Sequence, residues 1–152
     1  MQSGISVSQE LTSEFNKFQA DESLFALLVT ISNETLTPVT TLPKSSPEFN
    51  RNLDSLQTHL QPNEALYVIL RRSDNESNNS NHNQGTGSSA GSLFIAVTYV
   101  PDTANVRQKL LFASTRLTLV RELGSEHFRE TIFATTAEEL TPAGFARHDR
   151  HT

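Results

Sequence analysis

The chain has 152 residues, 36% of them hydrophobic, with no cysteine and a formal net charge of −5. That length suits one ordinary domain with enough chain to bury a real core. The acidic balance argues against a general nucleic-acid binder, and the lack of cysteine excludes a disulfide framework and thiolate metal sites, as expected of a reducing compartment.

The N-terminus, MQSGISVSQELTSEF, has no basic start followed by an apolar centre and so is not read as a secretory leader. No apolar run reaches the length of a membrane span. A cytosolic protein is expected, and the Asn-x-Ser/Thr triplets at Asn33, Asn75 and Asn78 are read as chance matches. Leu11, Phe15 and Phe18 recur at helical spacing after Ser8, a suitable N-cap, which predicts a helix over about 8–19. Residues 24–31, LFALLVTI, form a dense apolar run read as a buried strand. Asn33-Glu34 turns it into a second strand over 35–42, making a hairpin. Ser46-Pro47 reads as an N-cap with proline at the first helical position, and Phe49, Leu53, Leu56 and Leu60 mark one face of a helix ending near Pro62. Two more strands are expected over 65–72 and 92–99. Between them, at about 73–92, lies a low-complexity Asn/Ser/Gly insertion too polar to order itself, read as a hairpin loop.

Pro101-Asp102 leads into a long helix over about 103–123, with Gly124 suited to ending it. A fifth strand is expected over 131–135. Thr136-Ala-Glu-Glu139 is a capping box opening a last helical segment that Pro142 should break or restart. The order α-β-β-α-β-β-α-β-α gives one α/β domain over residues 1–152, with a central mixed sheet of five to six strands flanked by helices on both faces.

Chemistry is sparse. There is no phosphate-binding glycine loop before a helix, and His148-x-x-His151 lies in a polar tail without an acidic partner. Glu138-Glu139 is explained by the capping box. No nucleophile, base and orienting group come together, so neither an enzyme nor a cofactor or metal site is expected.

The long helix carries the most information. At about 100° per residue, Val106, Leu110, Ala113, Leu117 and Val120 fall in one stripe, and Phe112, Leu119 and Leu123 in another. Spacing alone does not say which is core. A small domain cannot easily cover a helix on all sides. Arg107, Ser114 and Arg121 border the first stripe on one edge, and Lys109 and Arg116 on the other. A cation-bordered apolar stripe reads as a binding face with an electrostatic rim, which leaves the Phe112 stripe to the sheet. The implied partner is acidic at its edges and apolar at its centre. An anionic lipid surface, met by Lys109, Arg116 and Arg121, ranks second, because a helix held by its far face can dip only its rim into headgroups.

The stretch FIAVTYVPDTANVRQKLLFASTRLTLVRELG, residues 94–124, resembles the strand, turn and long helix of the actin-depolymerising-factor homology (ADF-H) family, which includes ADF/cofilin, twinfilin and coactosin. The element order agrees, as do Ser3-Gly4-Ile5 and Gly144-Phe145. The likeness covers the chain except for the insertion, and it is strongest to the N-terminal domains of twinfilins. The resemblance implies binding to the actin monomer, with ADP-actin preferred, by a protein that is itself monomeric. Arg107 and Lys109 would pair with actin carboxylates. Leu110 would fill the actin cleft beside Val106, and Ser114, Leu117 and Arg121 would continue that face. Ser3, Gly4 and Ile5 match the family's N-terminal contact segment, whose serine is a phosphorylation switch in ADF/cofilins. Leu117 and Val120 depart from the family pattern, Val120 where relatives often carry a basic residue. Residues 73–106 contain no Lys or Arg, although ADF/cofilins use a basic site there to bind filaments. The resemblance therefore implies monomer sequestering, with filament-end capping in a two-domain twinfilin of which this chain would be one half. The alternative is a single-domain protein that binds and severs filaments.

Overall fold

A computed structural model describes residues 4–72 and 94–150. Six strands form one mixed sheet in the order β1-β3-β2-β4-β5-β6. They are β1 (Ser6–Val7), β2 (Leu24–Ser32), β3 (Thr35–Pro43), β4 (Leu66–Arg71), β5 (Phe94–Tyr99) and β6 (Phe128–Ala134). Pairing is antiparallel from β3 through β5 and parallel at both ends, β1 on β3 and β6 on β5. The helices are α1 (Gln9–Ala20), α2 (Phe49–Gln57), α3 (Val106–Leu123) and α4 (Pro142–Arg150).

The strands β2, β4 and β5 read as nearly unbroken apolar runs because both faces of the sheet are covered. Side chains alternate between faces along a strand. Leu27 and Val29 of β2, with Tyr67 and Ile69 of β4, meet Phe15, Phe18, Phe112 and Leu119 from α1 and α3. Phe25 and Leu28, with Val68 and Leu70, meet Leu53, Leu56 and Phe145 from α2 and α4. The expected architecture is the observed one.

Local chemistry explains the boundaries. The Ser8 hydroxyl accepts from Leu11 N at 3.0 Å and caps α1. Asn33 and Glu34 both have positive φ, 52° and 62°, the two-residue turn whose twist suits a hairpin. The helix α2 is shorter than expected and starts at Phe49, not after Ser46. The cause is Asn52, fully buried, whose side chain accepts from Ser45 N (2.7 Å) and Ser46 N (3.1 Å) and donates to the Ser46 and Glu48 carbonyls. Those bonds hold the preceding loop in a non-helical shape. Strand β6 starts earlier than expected because Phe128 stacks on Phe15, with ring centroids 5.9 Å apart. Strand β1 was not expected at all, since two residues carry no periodic signal. At the C-terminal end, the capping box forms over a single 3-10 turn, Ala137–Leu140. Pro142 then begins α4 as its first residue, where its missing N–H costs nothing. A Cβ on Gly144 would lie 2.8 Å from the Glu138 carbonyl oxygen and closer still to that of Glu139. Only glycine lets α4 approach so closely and seat Phe145 edge-on against Phe49.

Candidate functional site

Helix α3 is fixed to the body of the domain at several points. It opens at Asn105, whose side chain accepts from Gln108 N at 2.8 Å, rather than at Thr103 as the sequence suggested. Thr103 instead donates through its hydroxyl to the Pro62 carbonyl. The Gln108 side chain accepts from Ala65 N, 3.1 Å away, just before β4. One turn further on, the Tyr67 hydroxyl donates to the Phe112 carbonyl at 2.6 Å, and burial raises that phenol well above its ordinary pKa. Phe112, Thr115, Leu119 and Leu123 are buried. Gly124, at φ 106°, ends the helix by donating to the Val120 and Arg121 carbonyls.

With that face committed, the other is open. Val106, Leu110 and Leu117 are 70%, 66% and 61% exposed. Ala113 is also exposed, whereas Val120, assigned to the same stripe, is only half-exposed. On the helical wheel Val120 lies nearest the core edge. Arg107, Ser114 and Arg121 are exposed along one border. Lys109 is half-buried on the other, and its aliphatic stem can cover apolar surface there. Among the described residues, the side chains of Arg107, Lys109 and Arg121 have no hydrogen-bond or ion-pair partner. Arg116 differs, because its guanidinium lies over the ring of Phe133 on β6, 5.5 Å from the centroid. Phe133, 41% exposed, had no role in the sequence reading. Its strand pairing with β5 is what brings it beneath α3.

The N-terminal segment lies beside the start of α3. Ser3 falls outside the described residues. Gly4 is exposed with φ 81°, a backbone shape that other residues adopt only under strain. Ile5 is 8% exposed and belongs to the core under α1 and α3, with its remaining surface on the side of α3. A groove of about 490 Å³ separates this segment from the β2–β3 turn and α3. Ile5, Ile31 and Leu111 line it with apolar surface, and Gly4, Glu34 and Arg107 complete it.

The far end of β4 carries cations of another kind. Arg71 is buried and donates to the carbonyls of Phe18, Leu24 and Asp21. Its guanidinium also lies 4.8 Å from the Phe18 ring centroid. Arg72 is buried 4.6 Å from the ring of Phe49. The insertion that follows, expected as a loop at about 73–92, lies outside the described residues. His148, read as part of a polar tail, sits on α4 with Nε2 2.9 Å from a Glu130 carboxylate oxygen, and His151 is outside the described residues. Among those residues, no three His, Asp or Glu side chains gather as a metal-ligand set, and no helix is long and apolar enough to cross a membrane.

Comparison with known proteins gives this arrangement a family. The chain is 30% identical to a twinfilin of Dictyostelium discoideum over 98% of its length and 32% identical to one of Drosophila melanogaster over 97%. It spans 41% and 39% of those proteins, about two fifths of each. A solved twinfilin structure, designated Eh, superposes with a TM-score of 0.80 at 23% identity, covering 97% of this chain and 99% of that one. Actin depolymerization factor 2 of Plasmodium berghei superposes at 0.76 with 18% identity and full coverage of both chains. The family model for cofilin/tropomyosin-type actin-binding proteins matches residues 4–150. Since that match takes in the sheet, α3 and the N-terminal segment together, the chain belongs to the cofilin/tropomyosin-type actin-binding family, as an ADF-H domain related to twinfilin and cofilin.

Proposed function

We propose that this domain binds the actin monomer through the outward face of α3 and withholds it from filaments. The observation that carries the reading is the stripe of Val106, Leu110 and Leu117, each more than 60% exposed, on a helix whose opposite face is locked to the sheet. Arg107, Lys109 and Arg121, which have no side-chain partner among the described residues, border it. In this reading Leu110 and Val106 enter the apolar cleft of actin, and Arg107 and Lys109 pair with carboxylates at its edge. Ser114, Leu117 and Arg121 extend the contact, and Ser3, Gly4 and Ile5 join it as the family's N-terminal contact segment. An interface with an apolar centre and a charged rim gains affinity at the centre and orientation at the rim.

Monomer binding is favoured over filament binding by the other end of the molecule. Arg71 and Arg72, the last basic residues before the insertion, are buried on ring faces, and residues 73–106 add no Lys or Arg. A second, filament-directed basic surface has few side chains to draw on there. Within a two-domain cytoplasmic protein, the module would sequester monomers and support filament-end capping together with a second domain.

Titration of the chain into fluorescently labelled ADP- and ATP-actin monomers tests the reading, with saturable binding, tighter for ADP-actin, as the expected result. Substantial co-pelleting with filaments at physiological salt would overturn the monomer-only reading in favour of an ADF/cofilin-like severing protein. Phosphoinositide vesicles should compete weakly if at all. Arg116 is engaged with Phe133, and Lys109 and Arg121 stand about 18 Å apart along the helix axis at 1.5 Å per residue. One headgroup cannot reach both.

A further inference from the structure

The turn between β2 and β3 is built from Asn33 and Glu34, both in the left-handed region, with φ 52° and 62°. Asparagine tolerates that shape. Glutamate at the second position does not do so readily, and Asn-Gly is the relaxed sequence for such a turn. Glu34 is exposed, and its carboxylate makes no hydrogen bond or ion pair with any described residue. The hairpin needs that backbone shape, but the side chain that fills it adds no hydrogen bond or ion pair to the described fold, where glycine would serve without strain. Strain kept without a structural return is a reason to look for function.

Position supplies one. Glu34 lines the groove of about 490 Å³ whose apolar surface is Ile5, Ile31 and Leu111 and whose other charged member is Arg107. Arg107 also borders the Leu110 stripe, so groove and stripe are continuous through one residue. The two charges do not pair with each other: Arg107 and Glu34 form no ion pair within 4.0 Å among the described residues. Each is left to face a partner. The groove is therefore bipolar, with an anion supplied by the turn, a cation supplied by α3 and apolar surface between.

We infer that this groove is a second contact for the same actin monomer, taking a surface segment in which a basic residue neighbours an apolar one. The apolar side chain rests on Ile5, Ile31 and Leu111, and the cation reaches Glu34. Arg107 meanwhile keeps its carboxylate partner at the stripe. Glu34 is then a specificity residue. It rewards a basic group at that point of the partner and penalises an acidic one, while the helix supplies most of the affinity.

This inference rests on the α3 reading, and the experiment separates the two. Glu34→Gly, Glu34→Lys and Leu110→Ala are each titrated with labelled actin monomers and melted. Glu34→Gly relaxes the turn and should raise Tm by about 2–4 °C. The same variant should bind the monomer about three- to fivefold more weakly, the scale of a partly exposed charge contact. Glu34→Lys keeps the turn strained and reverses the charge, so it should bind more weakly still, with Tm near the parent value. A variant that is more stable yet binds less well cannot be explained by damage to the fold. Unchanged affinity in both Glu34 variants, with a clear loss in Leu110→Ala, would overturn the groove and leave the helix reading standing. Unchanged affinity in all three would overturn both.

Discussion

Arg71 and Arg107 are the same residue put to opposite uses. Arg71 closes β4 with its guanidinium buried, donating to three carbonyls and lying over Phe18. Burial lowers its pKa, with Glu22 and Asp21 acting in the other direction. Arg107 opens α3 exposed, without a partner among the described residues. A planar guanidinium with five donors can satisfy several loop carbonyls at once, or offer the same donors to another protein. What separates the cases is whether the fold has already used the donors. The two faces of α3 repeat the contrast in apolar form, with Phe112 spent on the core and Leu110 left over.

The comparison can be broken at its strongest point first. Phe112→Ala should cost about 3–5 kcal/mol of stability by opening a core cavity, whereas Leu110→Ala should change stability by no more than about 0.5 kcal/mol. Chemical denaturation of both variants checks this, and equal losses would mean that α3 has been placed the wrong way round. Arg71→Ala should follow, at about 2–4 kcal/mol, because it strips donors from buried carbonyls. Thermal melts should show that loss with the actin affinity of the surviving folded protein unchanged.

The paired variant Arg107→Ala, Lys109→Ala should do the reverse. Monomer affinity should fall by about 2–3 kcal/mol, the range for truncating interfacial charge partners, with Tm nearly constant. A drop in Tm without a change in affinity would assign these cations to the fold. The smallest effect expected is at Asp21. The Ser23 side chain and backbone donate to its carboxylate and hold its pKa below the ordinary 3.8. A depressed folded-state pKa contributes stability above the unfolded value and loses it as pH falls through the folded one. Ser23→Ala should therefore raise the Asp21 pKa toward 3.8, as followed by NMR titration, and slightly soften unfolding at acid pH.

Much of this was legible in the residues. Ser8 and the Leu11, Phe15, Phe18 spacing marked α1, and the apolar runs marked the central strands, because covering both sheet faces leaves no polar alternation to confuse the pattern. The stripes of α3 were legible as stripes. Other features depended on contacts far apart in the chain. Asn52 looked like one more polar residue in a helix until its bonds to Ser45 and Ser46 were seen. Gln108, between Arg107 and Lys109, carried no assigned role, yet its side chain satisfies the Ala65 N–H. Ile5 matched a contact segment by position, and most of its side chain also packs into the core.

Residues read in order were enough for the class of fold, the order of its main elements and the existence of one helix with more apolar surface than a small core could use. Local propensity, periodicity and capping chemistry act over a few residues, so a single chain read in order can reveal them. How that surplus was shared depended on contacts between segments far apart in the chain. Tyr67 and Gln108 fix the rotation of α3, and pairing of β6 with β5 sets Phe133 beneath Arg116. The core takes Ile5 from the N-terminal segment while leaving Glu34 and Arg107 on one groove. Burial and hydrogen bonding are properties of neighbours in space, and they divide identical residues between holding the domain together and staying exposed on its surface.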